Sequence, residues 1–91
     1  MGEVRRRFTI INEKGMHARA AAKFVEVVEN HEADAEVYKD GVSAFGDSIM
    51  GLLMLAASKG TTIDVHIRGM DAESLAADLD NLISQKFHEK F

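Results

Sequence analysis

The dipeptide Asp40-Gly41 constrains the fold of this chain more than any other feature of its sequence. It lies between two short β-prone runs, AEVYK at 35–39 and VSAF at 42–45. A two-residue type I′ turn needs positive φ at both central residues, and its twist matches that of the strands it joins. The middle of the chain therefore predicts a β-hairpin, and with it an antiparallel sheet.

Two further segments, one near each end of the chain, have the composition of strands. The run VRRRFTIIN at 4–12 is β-branched and aromatic, with partial alternation of apolar and polar residues. The run TTIDVHIRG at 61–69 alternates cleanly and places Ile63, Val65 and Ile67 on one face. Together with the hairpin, these runs predict four strands that share one apolar face.

Three other segments have helical patterns. Between Ala18 and about Asn30, apolar residues recur at the spacing of an amphipathic helix. The run DSIMGLLMLAASKG at 47–60 predicts a short, imperfect helix followed by a loop. A last helix begins at Asp71 and has an apolar face formed by Leu75, Leu79, Leu82 and Ile83. The residues beyond it, including His88, are expected to fray.

The element order β-α-β-β-α-β-α predicts an α+β fold. We expect a four-stranded, mainly antiparallel sheet with three helices on one face, an open-faced sandwich. A length of 91 residues fits one domain spanning residues 1–91 and leaves no room for a second.

The composition excludes several classes of function. The chain has no cysteine, so disulfide and thiolate chemistry are excluded. Its net charge of −4 argues against broad nucleic-acid binding, which needs a basic surface. The longest uncharged run, Ser48 to Ser58, is shorter than the roughly 20 residues that span a bilayer. We therefore expect a cytoplasmic protein that binds neither nucleic acid nor membrane, and the spacing of its histidines predicts no metal site or cofactor.

The segment EKGMHARAAAKF, residues 13–24, places His17 between a glycine turn and the start of a helix. The first amides of a helix lack intrahelical partners and attract anions, so the N–H groups of Ala18 and Arg19 could meet a phosphate held on the imidazole. The guanidinium of Arg19 also matches phosphate oxygens. These parts suit reversible phosphoryl transfer. On position alone, however, a histidine at this place is more often a cap without chemistry.

Two segments resemble those of the HPr family, the histidine-containing phosphocarriers of the bacterial phosphotransferase system. GMHARAAAKFV at 15–25 is similar to the family's active-site pattern Gly-(Leu/Met)-His-Ala-Arg-Pro-Ala. DSIMGLLMLAASKG at 47–60 is similar to its Ser-Ile-Met-Gly segment, which a Lys-Gly follows. The resemblance covers essentially the whole chain, because the gap between the motifs and the element order also match.

The resemblance implies a role for individual residues. His17 would be phosphorylated, through Nδ1 in the family, and Arg19 would be the active-site arginine. Ser48 would be the regulatory serine that a dedicated HPr kinase/phosphorylase modifies in many bacteria. An exposed patch of Ile49, Met50 and Leu53 would dock partners. The family proline is replaced by Ala20, as is frequent in nitrogen-linked or alphaproteobacterial-type branches.

The function that the resemblance implies is that of a monomeric phosphocarrier and not of an enzyme. It would accept a phosphoryl group from phosphorylated enzyme I and donate it to an EIIA-type protein. The sequence leaves open whether this serves sugar transport or a nitrogen-related branch. A regulatory binding module of the same fold, switched through Ser48, is the main alternative. A small-molecule-sensing domain is a third class, which no sequence feature supports.

Overall fold

The predicted open-faced sandwich is confirmed by a computed structural model that describes residues 2–91. Its strands form one four-stranded sheet in the order β1-β4-β2-β3, and every neighbouring pair is antiparallel. The elements along the chain are β1 (Gly2–Thr9), α1 (Ala18–Glu29), β2 (Ala33–Lys39), β3 (Val42–Phe45), α2 (Ile49–Met54), β4 (Thr62–Gly69) and α3 (Ala72–Ser84).

The hairpin forms where the sequence predicts it. Asp40 and Gly41 have φ of +51° and +79°, the two positive values that a type I′ turn requires. The turn brings Val37 opposite Ala44 across β2 and β3. On the other side of β2, Val37 lies opposite Val65 of β4, so the centre of the sheet presents an apolar row to the helices.

The first strand is shifted relative to the sequence prediction of 4–12. It begins at Gly2 and ends at Thr9, and the following residues leave the sheet. Ile10 is fully buried, whereas Ile11 is 38% exposed. This shift matters for the site, because Asn12 becomes part of a loop instead of ending a strand.

The three helices cover the apolar face of the sheet and close one core. The predicted apolar face of α3 is buried throughout, and Phe24 of α1 and Leu52 of α2 are fully buried beside it. Asp71 precedes α3 as predicted, but its side chain makes no capping hydrogen bond. Its Oδ2 instead accepts the N–H of Glu32, and so joins α3 to the loop before β2.

The chain beyond α3 is ordered, so the prediction of a frayed tail was wrong. Lys86, Phe87 and His88 form a single turn in which all three have φ between 56° and 61°. Non-glycine residues seldom adopt this left-handed conformation. The turn drives the ring of Phe87 into the core, where it is fully buried. Burial of an aromatic ring offsets the backbone strain and returns the chain toward α1.

Candidate functional site

The loop from Asn12 to His17 is held rigidly against the segment that follows α2. Gly15 has φ of +65°, and a Cβ built on it would lie 2.6 Å from the carbonyl oxygen of Ala57. The next residue, Met16, is buried and donates its N–H to the same oxygen at 2.8 Å. Only glycine allows this close approach together with this φ. The loop therefore sets the direction in which His17 enters the helix.

His17 is the N-cap of α1. Its backbone is extended, with φ −84° and ψ 179°, and its carbonyl oxygen accepts the N–H of Ala21 at 2.8 Å. Its Nδ1 accepts the N–H of Arg19 at 3.3 Å. The predicted cap is therefore present, and it aims Nδ1 at the first amides of the helix. The side chain keeps 26% of its surface exposed, which leaves room for a reacting group.

Glu89, from the C-terminal tail, contacts the other nitrogen of the ring. Its Oε2 pairs with Nε2 of His17, and its Oε1 accepts a hydrogen bond from Nδ2 of Asn12 at 2.9 Å. The carboxyl is only 14% exposed. Nδ2 of Asn12 also donates to the carbonyl oxygen of Gly15 at 2.8 Å. Asn12 thus joins the tail to the loop that carries His17.

The environment of Glu89 favours its charged form. Burial alone would raise the pKa of this carboxyl, but the hydrogen bonds it accepts from Asn12 and His17 and its attraction to Lys14 outweigh that effect. The pKa of Glu89 is therefore held below its usual range. At neutral pH the side chain is a carboxylate that can only accept hydrogen bonds.

A basic groove lies beside the histidine, between the start of α1 and the tail. Its cationic side chains are Lys14, Arg19, Lys23 and Lys90. Lys23 is engaged, because its Nζ donates to the carbonyl oxygen of Phe87 at 2.6 Å. Within residues 2–91, the guanidinium of Arg19 has neither a hydrogen-bond nor an ion-pair partner. An anion on His17 would find a free cation there.

Ser48 is the N-cap of α2. Its Oγ accepts the N–H of Gly51 at 3.0 Å. The predicted docking residues around it differ in exposure: Ile49 is 39% and Met50 72% exposed, whereas Leu53 is half-buried and packs on the core. Met54, at 77%, is more exposed than any of them. The helix that Ser48 begins therefore presents methionines to solvent.

The other three histidines have different surroundings. His31 joins α1 to α3, since its ring nitrogens contact Val27 and Asp78. His66 lies on the open face of the sheet, with its ring centroid 4.5 Å from that of Tyr38. His88 belongs to the left-handed turn. Of the four, His17 is the one placed at a helix start beside a free arginine.

Two residues of the site, Asn12 and Glu89, were missed by the sequence analysis. Glu89 lies 72 residues from His17 along the chain, so no local spacing connects them. Asn12 could have been noticed as a polar residue at the end of an apolar run, where Asn favours a turn. It is fully buried, and its side chain fixes the loop.

Two kinds of site are not found among the described residues. No helix in residues 2–91 has the length and apolar character needed to cross a bilayer. Across the same residues, no group of three or more acidic or histidine side chains is arranged to hold a metal ion.

Comparison with known proteins relates the whole arrangement to phosphocarriers. A family model described as the PTS HPr component phosphorylation site matches residues 4–85. The chain is 43% identical over 82 residues to phosphocarrier protein HPr of Pseudomonas aeruginosa, covering 89% of this chain and 91% of that protein. It is 34% identical over 89 residues to phosphocarrier protein NPr of Shewanella violacea, covering 98% of both. A crystal structure of HPr-C-His from Thermoanaerobacter tengcongensis has a TM-score of 0.89 at 35% identity, covering 100% of both chains.

Proposed function

The chain belongs to the HPr family of phosphocarrier proteins of the phosphotransferase system, and we propose that it carries its phosphoryl group on Nδ1 of His17. The donor would be phosphorylated enzyme I and the acceptor an EIIA-type protein. The chain would act as a single-domain monomer in the cytoplasm, with no small-molecule substrate of its own. The observation that carries the proposal is the direction of Nδ1, which faces the N–H of Arg19 at the start of α1.

The transfer requires little covalent chemistry from the protein. The Nδ1 lone pair attacks phosphorus, and the Nδ1–P bond forms as the bond to the donor's leaving group breaks. The N–H groups of Ala18 and Arg19 can then donate to the phosphoryl oxygens, as helix N-termini do for phosphate. The guanidinium of Arg19, which has no other partner within residues 2–91, supplies a further charge-assisted hydrogen bond. Donation to the acceptor reverses these steps.

Partner recognition would use α2. Ile49 and Met50 are exposed, and the half-buried Leu53 would form the base of the surface. Methionine adapts to several partners in turn, which suits a carrier that must bind a donor and an acceptor with the same face. The core packing of Leu53 predicts that its substitution affects stability as well as docking.

Ser48 would give the carrier a regulatory input. An HPr kinase/phosphorylase would phosphorylate its Oγ, which now accepts the N–H of Gly51. A phosphate at a helix start is tolerated by the helix dipole, while it adds to the charge of Asp47 beside the docking residues. The position of Ser48 beside the docking residues supports the alternative of a regulatory binding module. Loss of function in Ser48→Ala, with His17→Ala silent, would favour that alternative.

The branch of the phosphotransferase system would be set by the donor and acceptor. The similar proteins include both an HPr and an NPr. Ala20, which stands where the family motif has proline, is fully buried and cannot touch a partner. Any effect on partner choice must act through the start of α1. Parallel transfer assays with enzyme I of the sugar and nitrogen branches, on the wild type and on Ala20→Pro, would identify the branch.

The direct test is phosphorylation by the cognate enzyme I and phosphoenolpyruvate. We expect one acid-labile phosphoryl group on the wild-type protein and none on His17→Ala. His66→Ala is the matched control, because His66 lies on the open face of the sheet, and it should be phosphorylated like the wild type. A wild-type protein that stays unmodified, or a His17→Ala variant that is modified equally, would refute the proposal.

A further inference from the structure

The C-terminal tail is anchored at three points that together fix the position of Glu89. Before it, the buried ring of Phe87 fills the core and the carbonyl oxygen of the same residue accepts Nζ of Lys23 at 2.6 Å. After it, the carbonyl oxygen of Phe91 accepts the N–H of Glu13 at 2.7 Å. Between Phe87 and Phe91, the carboxylate of Glu89 accepts a hydrogen bond from the side-chain amide of Asn12. A carboxylate held on both sides is a built feature of the site and not a loose chain end.

The hydrogen bonds around the imidazole define which nitrogen carries its proton. The backbone N–H of Arg19 can only donate, so Nδ1 must present a lone pair to it. The Glu89 carboxylate can only accept, so Nε2 must present an N–H. The side-chain amide of Asn12 is assigned by the same reasoning. Its Nδ2 donates to two oxygens, the carbonyl oxygen of Gly15 and a carboxylate oxygen of Glu89. Every contact agrees with one tautomer.

We propose that Glu89 is a positioning residue for phosphoryl transfer at His17: its carboxylate holds the Nε2–H and thereby keeps the Nδ1 lone pair facing the first amides of α1. This inference rests on the proposed function. When the Nδ1–P bond forms, the lone pair is used and the ring becomes a phosphoimidazolium that still carries its Nε2–H. The positive charge then lies against the carboxylate, while the phosphoryl oxygens face Ala18 and Arg19. No proton needs to leave the ring in either direction of transfer.

The same contact restricts the site of modification. Nε2 is occupied by the contact with Glu89, whose side chain is only 14% exposed, so Nδ1 is the ring nitrogen left for a donor. The charge of the carboxylate also affects the phosphorylated state, because it stabilises the cationic ring relative to the neutral one. Carboxylate partners of this kind orient histidines in metal sites, where their removal typically costs about 10- to 100-fold in function.

The test compares Glu89→Ala and Glu89→Gln with the wild type. In the unphosphorylated wild type, the nitrogen NMR spectrum should show His17 with an unprotonated Nδ1 and a protected proton on Nε2. Glu89→Ala should lose that protection and accept phosphoryl from enzyme I about 10- to 100-fold more slowly. Glu89→Gln keeps an oxygen acceptor but loses the charge, so it should retain the Nε2 proton signal and show an intermediate rate.

Glu26→Gln is the matched control. Glu26 is exposed on α1 outside the groove, and within residues 2–91 no hydrogen bond or ion pair joins its side chain to His17. The substitution removes one carboxylate from the same helix, so it should leave the Nε2 signal and the rate within about twofold of the wild type, as expected for weakly coupled surface charges. An equal loss of rate in Glu26→Gln and Glu89→Gln would show a general charge effect and overturn the proposal.

The Nε2 proton signal and the rate of phosphorylation by enzyme I together separate the role of Glu89 from the proposed function. If Glu89→Ala has the wild-type Nε2 signal and the wild-type rate, the role of Glu89 is refuted while phosphocarriage stands. If the wild type is never phosphorylated, the proposed function fails. The Nε2 signal then still decides whether Glu89 orients the ring. Unfolding curves of the variants, recorded alongside, exclude loss of the fold as the cause of a slow rate.

Discussion

His17 combines three contacts that usually belong to different residues. Its carbonyl oxygen accepts the first hydrogen bond of α1, its Nδ1 faces the first amides of that helix, and its Nε2 contacts the carboxylate of Glu89. The sequence motif predicted the first from the place of His17 after a glycine turn, while the use of Nδ1 followed only from the resemblance to the HPr family. It could not predict the third, because Glu89 approaches from the other end of the chain. Local patterns therefore singled out His17, the proposed phosphoryl acceptor, and missed the carboxylate that contacts its ring.

Gly15 is the residue on which the position of His17 depends. Gly15→Ala should lower the free energy of unfolding by more than about 2 kcal/mol, because alanine is strained at φ +65° and its Cβ would meet backbone atoms of Ala57 and Ser58. We expect slower phosphoryl transfer as well, since relief of the clash must move the loop. Urea unfolding and a transfer assay measure the two effects.

Gly41→Ala is the control for Gly15→Ala. Gly41 has φ of +79°, but a Cβ built there meets nothing within 4 Å. The free energy of unfolding should fall only by the strain of an alanine in the left-handed conformation, about 1–2 kcal/mol. The rate of phosphoryl transfer should be unchanged. Equal losses in the two variants would contradict the importance of the contact with Ala57.

At the scale of elements, the sequence predicted what local rules determine. The Asp40-Gly41 turn, the alternation in β4 and the spacing in α1 and α3 all appear where expected, with ends that differ by a few residues. The left-handed turn after α3 was missed because Lys86, Phe87 and His88 include no glycine or asparagine to signal it. Its cause is tertiary: the core accepts the ring of Phe87 and forces the backbone to follow.

The tail should therefore be sensitive to removal of its anchor. Phe87→Ala should lower the free energy of unfolding by about 3–5 kcal/mol, the usual cost of removing a buried aromatic ring. Phe91→Ala is the matched control, because its ring is 65% exposed, and its effect should stay within about 0.5 kcal/mol. Similar urea midpoints for the two variants would show that the tail is not anchored through Phe87.

At the scale of the whole molecule, the site joins the loop after β1 to the C-terminal tail. The loop after β1, the start of α1 and the tail after α3 meet at the carboxylate of Glu89. The pKa of this group therefore depends on contacts that form only when the whole chain is folded. Its pKa is lowered by Asn12, His17 and Lys14, against the opposing effect of burial. This links the site to the stability of the protein.

Stability should consequently depend on pH in acid. Because the folded pKa of Glu89 lies below its usual value of 4.5, the unfolded chain binds more protons between these two values. The contribution of Glu89 is thus fully present above about pH 4.5 and is lost as the pH falls through the lower folded pKa. As the pH is lowered from 6, the free energy of unfolding measured in urea should fall more steeply for the wild type than for Glu89→Gln. The pH at which the two curves diverge is predicted to within about one pH unit.

Asp64→Asn is the comparison variant for this pH profile. The pKa of Asp64 is also lowered, mainly by its hydrogen bond from Arg7, but this carboxyl is 45% exposed. Its contribution should be screened by salt, whereas that of Glu89, whose side chain is only 14% exposed, should be screened less. Identical pH profiles for the wild type and Glu89→Gln would contradict the predicted coupling.

The most direct measurement is the location of the phosphoryl group by phosphorus and nitrogen NMR on protein phosphorylated by enzyme I. Coupling between phosphorus and nitrogen identifies both the histidine and the ring atom. The arrangement around His17 predicts a single phosphoryl group, bound to Nδ1 of His17, with the proton retained on Nε2 beside Glu89. A phosphoryl group on Nε2, or on His31, His66 or His88, would contradict it.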